Sequence, residues 1–214
     1  MAEQPEQPLP RQPNDVPARA AGAAMVMAAF LGVLWAVQLV DSVSHYPLLR
    51  FGIVPRNVGK LEDVVTAPFI HASWTHLLDN SLPLLVTGFF VALAGLARFV
   101  SITAVIVAVS GLGVWLTAAS GSRTVGASGV IFGYFGFLVA RGIFDRRLTD
   151  LLVGLVVGAL YWSVLPAALP GSPGISWQAH LFGLAGGVLA ARLFRRPKEA
   201  ASPPRYALGG SQAA

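Results

Sequence analysis

Long apolar runs separated by isolated charged residues make up most of the chain between about residues 20 and 195. A charged group is costly at the centre of a bilayer, so uncharged stretches mark candidate membrane spans of about 20 residues each. The candidate stretches are 20–40, 80–97, 99–122, 124–140 and 151–191. The last is too long for one span, and its Pro- and Gly-rich part predicts a turn between two helices. The pattern therefore predicts six membrane-spanning helices.

Composition supports a membrane protein. Of the 214 residues, 55% are hydrophobic and 12% are charged, whereas about a quarter of the residues of a soluble domain are charged. This balance argues against a soluble globule, a disordered chain or a nucleic-acid-binding protein, and it makes the lipid bilayer the expected surroundings. The chain has no cysteine, which excludes disulfides, thiolate metal sites and a cysteine nucleophile.

The net charge of +5 becomes informative once the charges are assigned to the two sides of the membrane. With the N-terminus inside, eleven of the 15 Lys and Arg residues lie on the cytoplasmic side, as the positive-inside rule requires. Both termini are therefore predicted to be cytoplasmic. The predicted organisation is a disordered tail over 1–18, a six-span domain over 19–196 and a second disordered tail over 197–214.

The connection between the first two spans, about 42–74, is long and rich in apolar and aromatic residues. A loop of this length and composition is unlike an ordinary solvated connection. We expect short helices that lie partly in the outer membrane interface and pack on the bundle. An ordinary extracytoplasmic loop is the alternative.

Polar residues inside the predicted spans are the candidates for chemistry. Ser128 precedes the inner-side residue Arg141 by 13 positions, and His180 precedes Arg192 by 12. At about 1.5 Å per residue, both lie roughly 18 to 20 Å above the inner boundary. A serine and a histidine at one depth can form a nucleophile and its general base, although each alone could merely satisfy a helix contact.

Small residues flank both positions and predict close helix packing. They are Gly126, Gly129, Gly133 and Gly136 on one helix, and Ala179, Gly183 and Gly187 on the other. Such faces let two helices approach closely in lipid, and plain helix association would explain them equally well. The fourth span is also short, so Ser128 is expected near a recessed helix N-terminus, where free N–H groups favour developing negative charge.

His76 and Asn80 are four residues apart and share one helix face. Both can donate hydrogen bonds towards one point, as an oxyanion hole requires; bonding to neighbouring backbone is the alternative. His71 is expected in the loop before this helix. His71, His76, Asp79 and His180 are potential zinc ligands, but their spacing differs from that of metalloprotease helices, so no metal or other cofactor is expected.

Three motifs in order resemble the rhomboid family of intramembrane serine proteases. They are His71-Ala-Ser-Trp-Thr-His76-Leu-Leu-Asp-Asn80, Gly126-Ala-Ser128-Gly129 and Ala179-His180-Leu-Phe-Gly183. Together with the six-span layout and the large first loop, the resemblance covers about residues 20–195. It implies an all-α six-helix bundle in a bacterial plasma membrane, with a site that opens to the extracytoplasmic side. The implied substrates are transmembrane segments of single-pass membrane proteins, and the sequence does not predict an oligomeric state.

The resemblance also implies a role for each site residue. Ser128 would be the nucleophile and His180 its general base, without a carboxylate, while His76, Asn80 and the Ser128 N–H would form the oxyanion hole. The implied supporting residues are His71, Gly126, Gly129 and Phe132. Three features depart from the family pattern: Phe132 stands where many relatives have Tyr, Asp79 replaces a usually apolar residue, and 51–56 replaces the Trp-Arg pair of the first loop.

Two other functions remain open at this point. A rhomboid-like protein without catalysis could bind transmembrane helices, but such proteins typically lack the Ser or the His. A small transporter would be expected to show repeats or half-helices with opposed charges. Within the protease interpretation, the fifth span and the loop over 166–177 are the expected mobile gate.

Overall fold

Seven α-helices form the framework of the protein in this computed structural model, which describes residues 15–146, 148–171 and 174–195. The helices are α1 (Asp15–Val43), α2 (Asp63–Thr66), α3 (Trp74–Ala92), α4 (Leu96–Thr117), α5 (Ser128–Asp145), α6 (Leu148–Tyr161) and α7 (Trp177–Leu193). Directly after α6 comes a stretch of 3-10 helix, Trp162–Ala168, called the 3-10 segment below. Within the described residues, β pairing is limited to one bridge between Ile53 and Thr124.

The six longer helices follow the order of the six predicted spans. Three of them are long and apolar enough to cross a membrane: α1 from Val16 onwards, α4 and α5. α6 is apolar but shorter, and α3 contains the polar residues His76, Asp79 and Asn80, which lower its hydropathy. The chain is thus an all-helical protein with three candidate membrane spans among its described residues.

Charged residues proved to be poor markers of where helices end. α3 ends at Ala92 and α4 begins at Leu96, so the predicted boundary at Arg98 was wrong. The Arg98 guanidinium instead donates to the carbonyl of Phe194, where a cation is favourable at the end of α7. α5 likewise runs past its predicted end at residue 140, because Arg141 forms ion pairs with Asp145 at 3.6 Å and Asp150 at 3.3 Å.

The predicted domain boundaries also need adjustment at the N-terminus. α1 begins at Asp15, so residues 15–18 are helical rather than part of a disordered tail. The rest of that predicted tail, 1–14, and the predicted tail over 197–214 lie outside the described residues.

The contact between α5 and α7 is made by backbone atoms. A methyl group on Gly136 would lie 2.6 Å from the Leu184 carbonyl oxygen, and one on Gly187 would meet the carbonyl oxygen of Gly133. Gly183 approaches the Gly129 carbonyl in the same way. This confirms the close packing that the spaced small residues predict, and it fixes the starts of the two helices beside each other.

α4 completes a three-helix core with α5 and α7. The Ser110 hydroxyl of α4 donates to the Ala179 carbonyl oxygen at 2.9 Å. Gly113 of α4 leaves room for the ring of Phe182. The start of α7 is therefore held from two sides, by α4 and by α5.

The first loop contains short helices, as predicted, and it is tied to the chain that precedes α5. Arg56 donates from Nη1 to the carbonyl oxygens of Leu116 at 3.1 Å and Ala118 at 2.9 Å, which satisfies the end of α4. Arg123 donates to the Leu49 carbonyl at 3.0 Å. Arg56 belongs to the segment 51–56, which stands in place of the Trp-Arg pair of the family, and it anchors the first loop beside the site.

The glycine contact predicts a position-dependent cost of a single methyl group. Gly187→Ala should lower the free energy of unfolding by about 1 to 3 kcal/mol, since overpacking a tight contact forces backbone shifts. Gly32→Ala in α1 is the matched control, because nothing lies within 4 Å of its added methyl group. Thermal unfolding in detergent should show a lower midpoint for Gly187→Ala alone, and equal midpoints for the two variants would contradict the packing.

Candidate functional site

A cavity of about 880 Å³ contains most of the predicted site residues. Its walls come from α3, from the chain around the start of α5, from the 3-10 segment and from the beginning of α7. The predicted residues that line it are His76, Asn80, Ser128, Phe132 and His180. Ser128 is 48 residues after Asn80 and 52 residues before His180. The three motifs that contain these residues therefore meet at one place.

Ser128 is the first residue of α5, as expected. The N–H groups of the first helical turn have no partner within the helix. The Ala127 N–H instead donates to Nε2 of His71, at 3.4 Å. The Ser128 N–H follows it, at the positive end of the helix dipole, where an anion is favoured.

Gly126 allows His76 and Asn80 to approach the backbone that leads to Ser128. A methyl group on Gly126 would lie 2.6 Å from Cε1 and 2.7 Å from Nε2 of His76, and 3.7 Å from Nδ2 of Asn80. Gly126 also has φ +115°, a backbone conformation that L side chains rarely adopt. Any other residue would displace the imidazole or the chain before the serine.

Asn80 carries an unpaired donor in the cavity wall. The residue is 7% exposed, and its Nδ2 has no hydrogen-bond partner among the described residues. The alternative from the sequence, bonding of this amide to neighbouring backbone, therefore does not hold for its nitrogen. A buried donor of this kind costs free energy unless something accepts from it.

His180 is oriented by a ring and by a carbonyl group. Its imidazole stacks on Phe132, with centroids 4.1 Å apart and planes 3° from parallel. Its Nδ1 lies 2.9 Å from the Ala167 carbonyl oxygen in the 3-10 segment. Because a carbonyl can only accept, Nδ1 carries the proton, and Nε2 has the lone pair that a general base needs.

His71 lies in the loop before α3 and is 1% exposed. Its ring meets that of His76 edge-on, with centroids 5.0 Å apart. Burial, and next the neighbouring His76, lower the pKa of His71 from 6.5 to about 4. The neutral ring is the form that can accept from Ala127 N–H, so His71 supports the chain that leads to Ser128.

Some features of the site have no signal in the sequence. The carbonyl of Ala167 is a backbone group, and only the nearby Pro166 indicates an irregular segment there.

Among the described residues, no three His, Asp or Glu side chains come together as a group that could hold a metal ion.

The comparison with known families agrees with this geometry. The family model described as Rhomboid domain matches residues 58–197. This chain belongs to the rhomboid family. The match extends from the first loop through α7 and includes every residue of the site described above.

Related proteins are bacterial. An uncharacterised protein of Mycobacterium tuberculosis is 43% identical over 180 residues, covering 80% of this chain and 75% of that protein. An uncharacterised protein of Mycobacterium leprae is 38% identical over 182 residues, covering 81% of this chain and 72% of that protein. A Bacillus subtilis protein named "Putative rhomboid protease YdcA" is 31% identical over 173 residues, covering 78% of this chain and 79% of that protein.

The buried neutral His71 predicts loss of stability in acid. The folded chain keeps this pKa at about 4, whereas the unfolded chain binds the proton near pH 6.5. The contribution of His71 to the free energy of unfolding is therefore complete above pH 6.5. It decreases by about 3 kcal/mol as the pH falls from 6.5 towards 4.

The measurement is the thermal midpoint in detergent between pH 7 and pH 4. His71→Gln should flatten the decline seen in the wild type, because an amide oxygen can still accept from Ala127 N–H without titrating. The exposed His45→Gln is the matched control and should keep the wild-type slope. An unchanged slope in His71→Gln would contradict the assignment.

Proposed function

We propose that this protein is an intramembrane serine endopeptidase that cleaves transmembrane segments of single-pass membrane proteins. The observation that carries the proposal is the cavity in which Ser128, at a helix N-terminus, and His180, with its Nδ1 bound to a carbonyl, both line the wall. The family provides the reaction class, because rhomboid proteins are generally intramembrane serine proteases.

The proposed reaction is acyl transfer. Nε2 of His180 takes the proton of the Ser128 hydroxyl as Oγ attacks the carbonyl carbon of the substrate bond. The imidazolium then gives this proton to the leaving amine as the C–N bond breaks, which leaves an acyl-enzyme on Ser128. A water molecule, deprotonated by His180, attacks the ester carbon. The C–Oγ bond then breaks as Oγ takes the proton back from His180, and the second product leaves.

His180 has no carboxylate partner in this scheme. In a Ser-His-Asp triad the carboxylate holds the imidazole in one tautomer and one orientation. Here the Ala167 carbonyl accepts from Nδ1 and fixes the tautomer, while Phe132 fixes the plane of the ring. Both are positioning contacts, and neither reaches the reacting atoms.

The oxyanion of the tetrahedral intermediate would be bound beside Gly126. The donors available there are Nδ2 of Asn80, the His76 ring and the Ser128 N–H. Such preorganised donors are worth more in a water-poor site than in bulk water. The negative charge also develops at the positive end of the α5 dipole.

The route of the substrate would be the gap beside α3. α3 packs mainly on α1 and α5, and in the described part of the chain it has no extensive contact with α6 or the 3-10 segment. The cavity has walls from both α3 and the 3-10 segment, so a helix that enters between them would reach Ser128. The six-span layout, with both termini in the cytoplasm of a bacterial cell and a site near the outer face, is part of this proposal.

A fluorophosphonate probe, which reacts with an activated serine, tests the proposed nucleophile. The wild-type protein in liposomes should be labelled, Ser128→Ala should not, and His180→Ala should be labelled at least about 100-fold more slowly, because general-base catalysis contributes at least that much. Ser122→Ala is the matched control, since this serine lines the same cavity. Labelling that survives Ser128→Ala would overturn the proposal, and a folded but unlabelled wild type would favour a helix-binding protein without catalysis.

Asn80→Ala should separate turnover from binding. We expect kcat on a transmembrane substrate to fall by about 100- to 1000-fold with little change in KM, as for other oxyanion donors. Thr87→Val, in the same helix and the same cavity wall, is the control and should retain wild-type turnover. The thermal midpoint of Asn80→Ala should not fall, since its Nδ2 has no partner to lose. An unchanged kcat would remove Asn80 from the oxyanion hole.

A further inference from the structure

Asp79 is the acidic residue of the α3 cavity face, and the proposed reaction does not use it. It lies three residues after His76 and directly before Asn80, and its side chain lines the cavity. Pro83 and Thr87 continue this face of α3 one and two turns further along. The carboxylate is therefore within one helical turn of both proposed oxyanion donors.

Among the described residues, no Lys or Arg is found in an ion pair with this carboxylate. The ion pairs found in the described residues involve other acids, namely Asp63, Asp145 and Asp150. Among the described residues, Arg123 is the other charged side chain in the cavity wall, and it donates to the Leu49 carbonyl. Among the described residues of the other walls, Phe135, Leu165 and Ala167 are apolar. Ser176, Trp177 and Gln178 are polar but carry no charge, so none of these residues supplies a countercharge.

A substrate that fills the cavity would displace water from Asp79. An anion that loses water without gaining a partner is strongly destabilised, and an acidic side chain brought next to it adds repulsion. A Lys or Arg side chain would instead pair with the carboxylate and offset its desolvation. The site is therefore expected to favour substrates with a basic side chain near Asp79 over substrates with an acidic one.

We propose that Asp79 selects substrates that carry a Lys or Arg within a few residues of the cleaved bond. The inference rests on the proposed function, and it names a feature of the substrate that this function leaves open. The position of the basic residue follows from the place of Asp79 beside His76 and Asn80, where the carbonyl under attack would lie. Asp79 acts here as a specificity determinant and not on the serine or its base.

The test uses matched transmembrane substrates that differ at one position near the cleaved bond, with Lys, Gln or Glu there, scanned over six positions. At the responsive position, wild-type kcat/KM should be at least about tenfold higher for Lys than for Glu. Asp79→Asn should bring this ratio close to one, and Asp79→Lys should invert it. Glu62→Gln removes an exposed acid of the first loop, outside the cavity, and should keep the wild-type ratio.

Two results would overturn the inference. One is a wild-type protein that does not discriminate among the substrates at any scanned position. The other is an Asp79→Asn variant that loses the same factor on all three, because the carboxylate would then act on the histidines of the site.

A binding measurement separates this inference from the proposed proteolysis. Crosslinking of the same peptides to Ser128→Ala in liposomes should show the Lys over Glu preference, and Asp79→Asn on that background should remove it. The preference in binding would support the role of Asp79 even if fluorophosphonate labelling of the wild type failed. Equal crosslinking of the Lys and Glu peptides would count against it whatever the labelling shows.

Discussion

The structure of the site depends on the contact between the backbones of α5 and α7. In lipid, helices gain little from burying apolar side chains against each other, so close packing and polar contacts hold them together. Gly133 and Gly187 permit that packing, and Gly129 and Gly183 repeat it one turn closer to the helix starts. Ser128 directly precedes Gly129, and His180 lies one turn before Gly183. Both side chains therefore adjoin the same contact, and small shifts between the helices change their relative position.

The second constraint is the orientation of His180 without a carboxylate. The stacked ring of Phe132 restrains the plane of the imidazole, and the Ala167 carbonyl restrains the orientation of the imidazole within that plane. The carbonyl belongs to the 3-10 segment, which also forms a wall of the cavity. A displacement of this segment that admits a substrate would therefore also release Nδ1 of His180. Under the proposed function, the base is complete only when the segment has returned.

The sequence predicts the features that depend on residue type and spacing. Small residues repeated every three or four positions predict the α5 and α7 contact, and the shortness of the fourth span predicts a helix start near Ser128. Charge placement was less reliable, because Arg98 and Arg141 find partners at helix ends and remain inside their helices. The Ala167 carbonyl could not be predicted, since which backbone oxygen meets an imidazole 13 residues away depends on the path of an irregular segment.

Asn80 shows how stability and chemistry compete in this site. A buried amide donor without a protein acceptor forgoes about 0.5 to 1.5 kcal/mol of stability, and a protein selected for stability alone would place an acceptor beside it. An oxyanion donor is worth about 3 to 4 kcal/mol of barrier only if it is unoccupied before the reaction begins. An acceptor supplied by the protein would recover the first amount and forfeit the second. The unpaired Nδ2 of Asn80 is therefore what the proposed chemistry requires of the folded state before a substrate arrives.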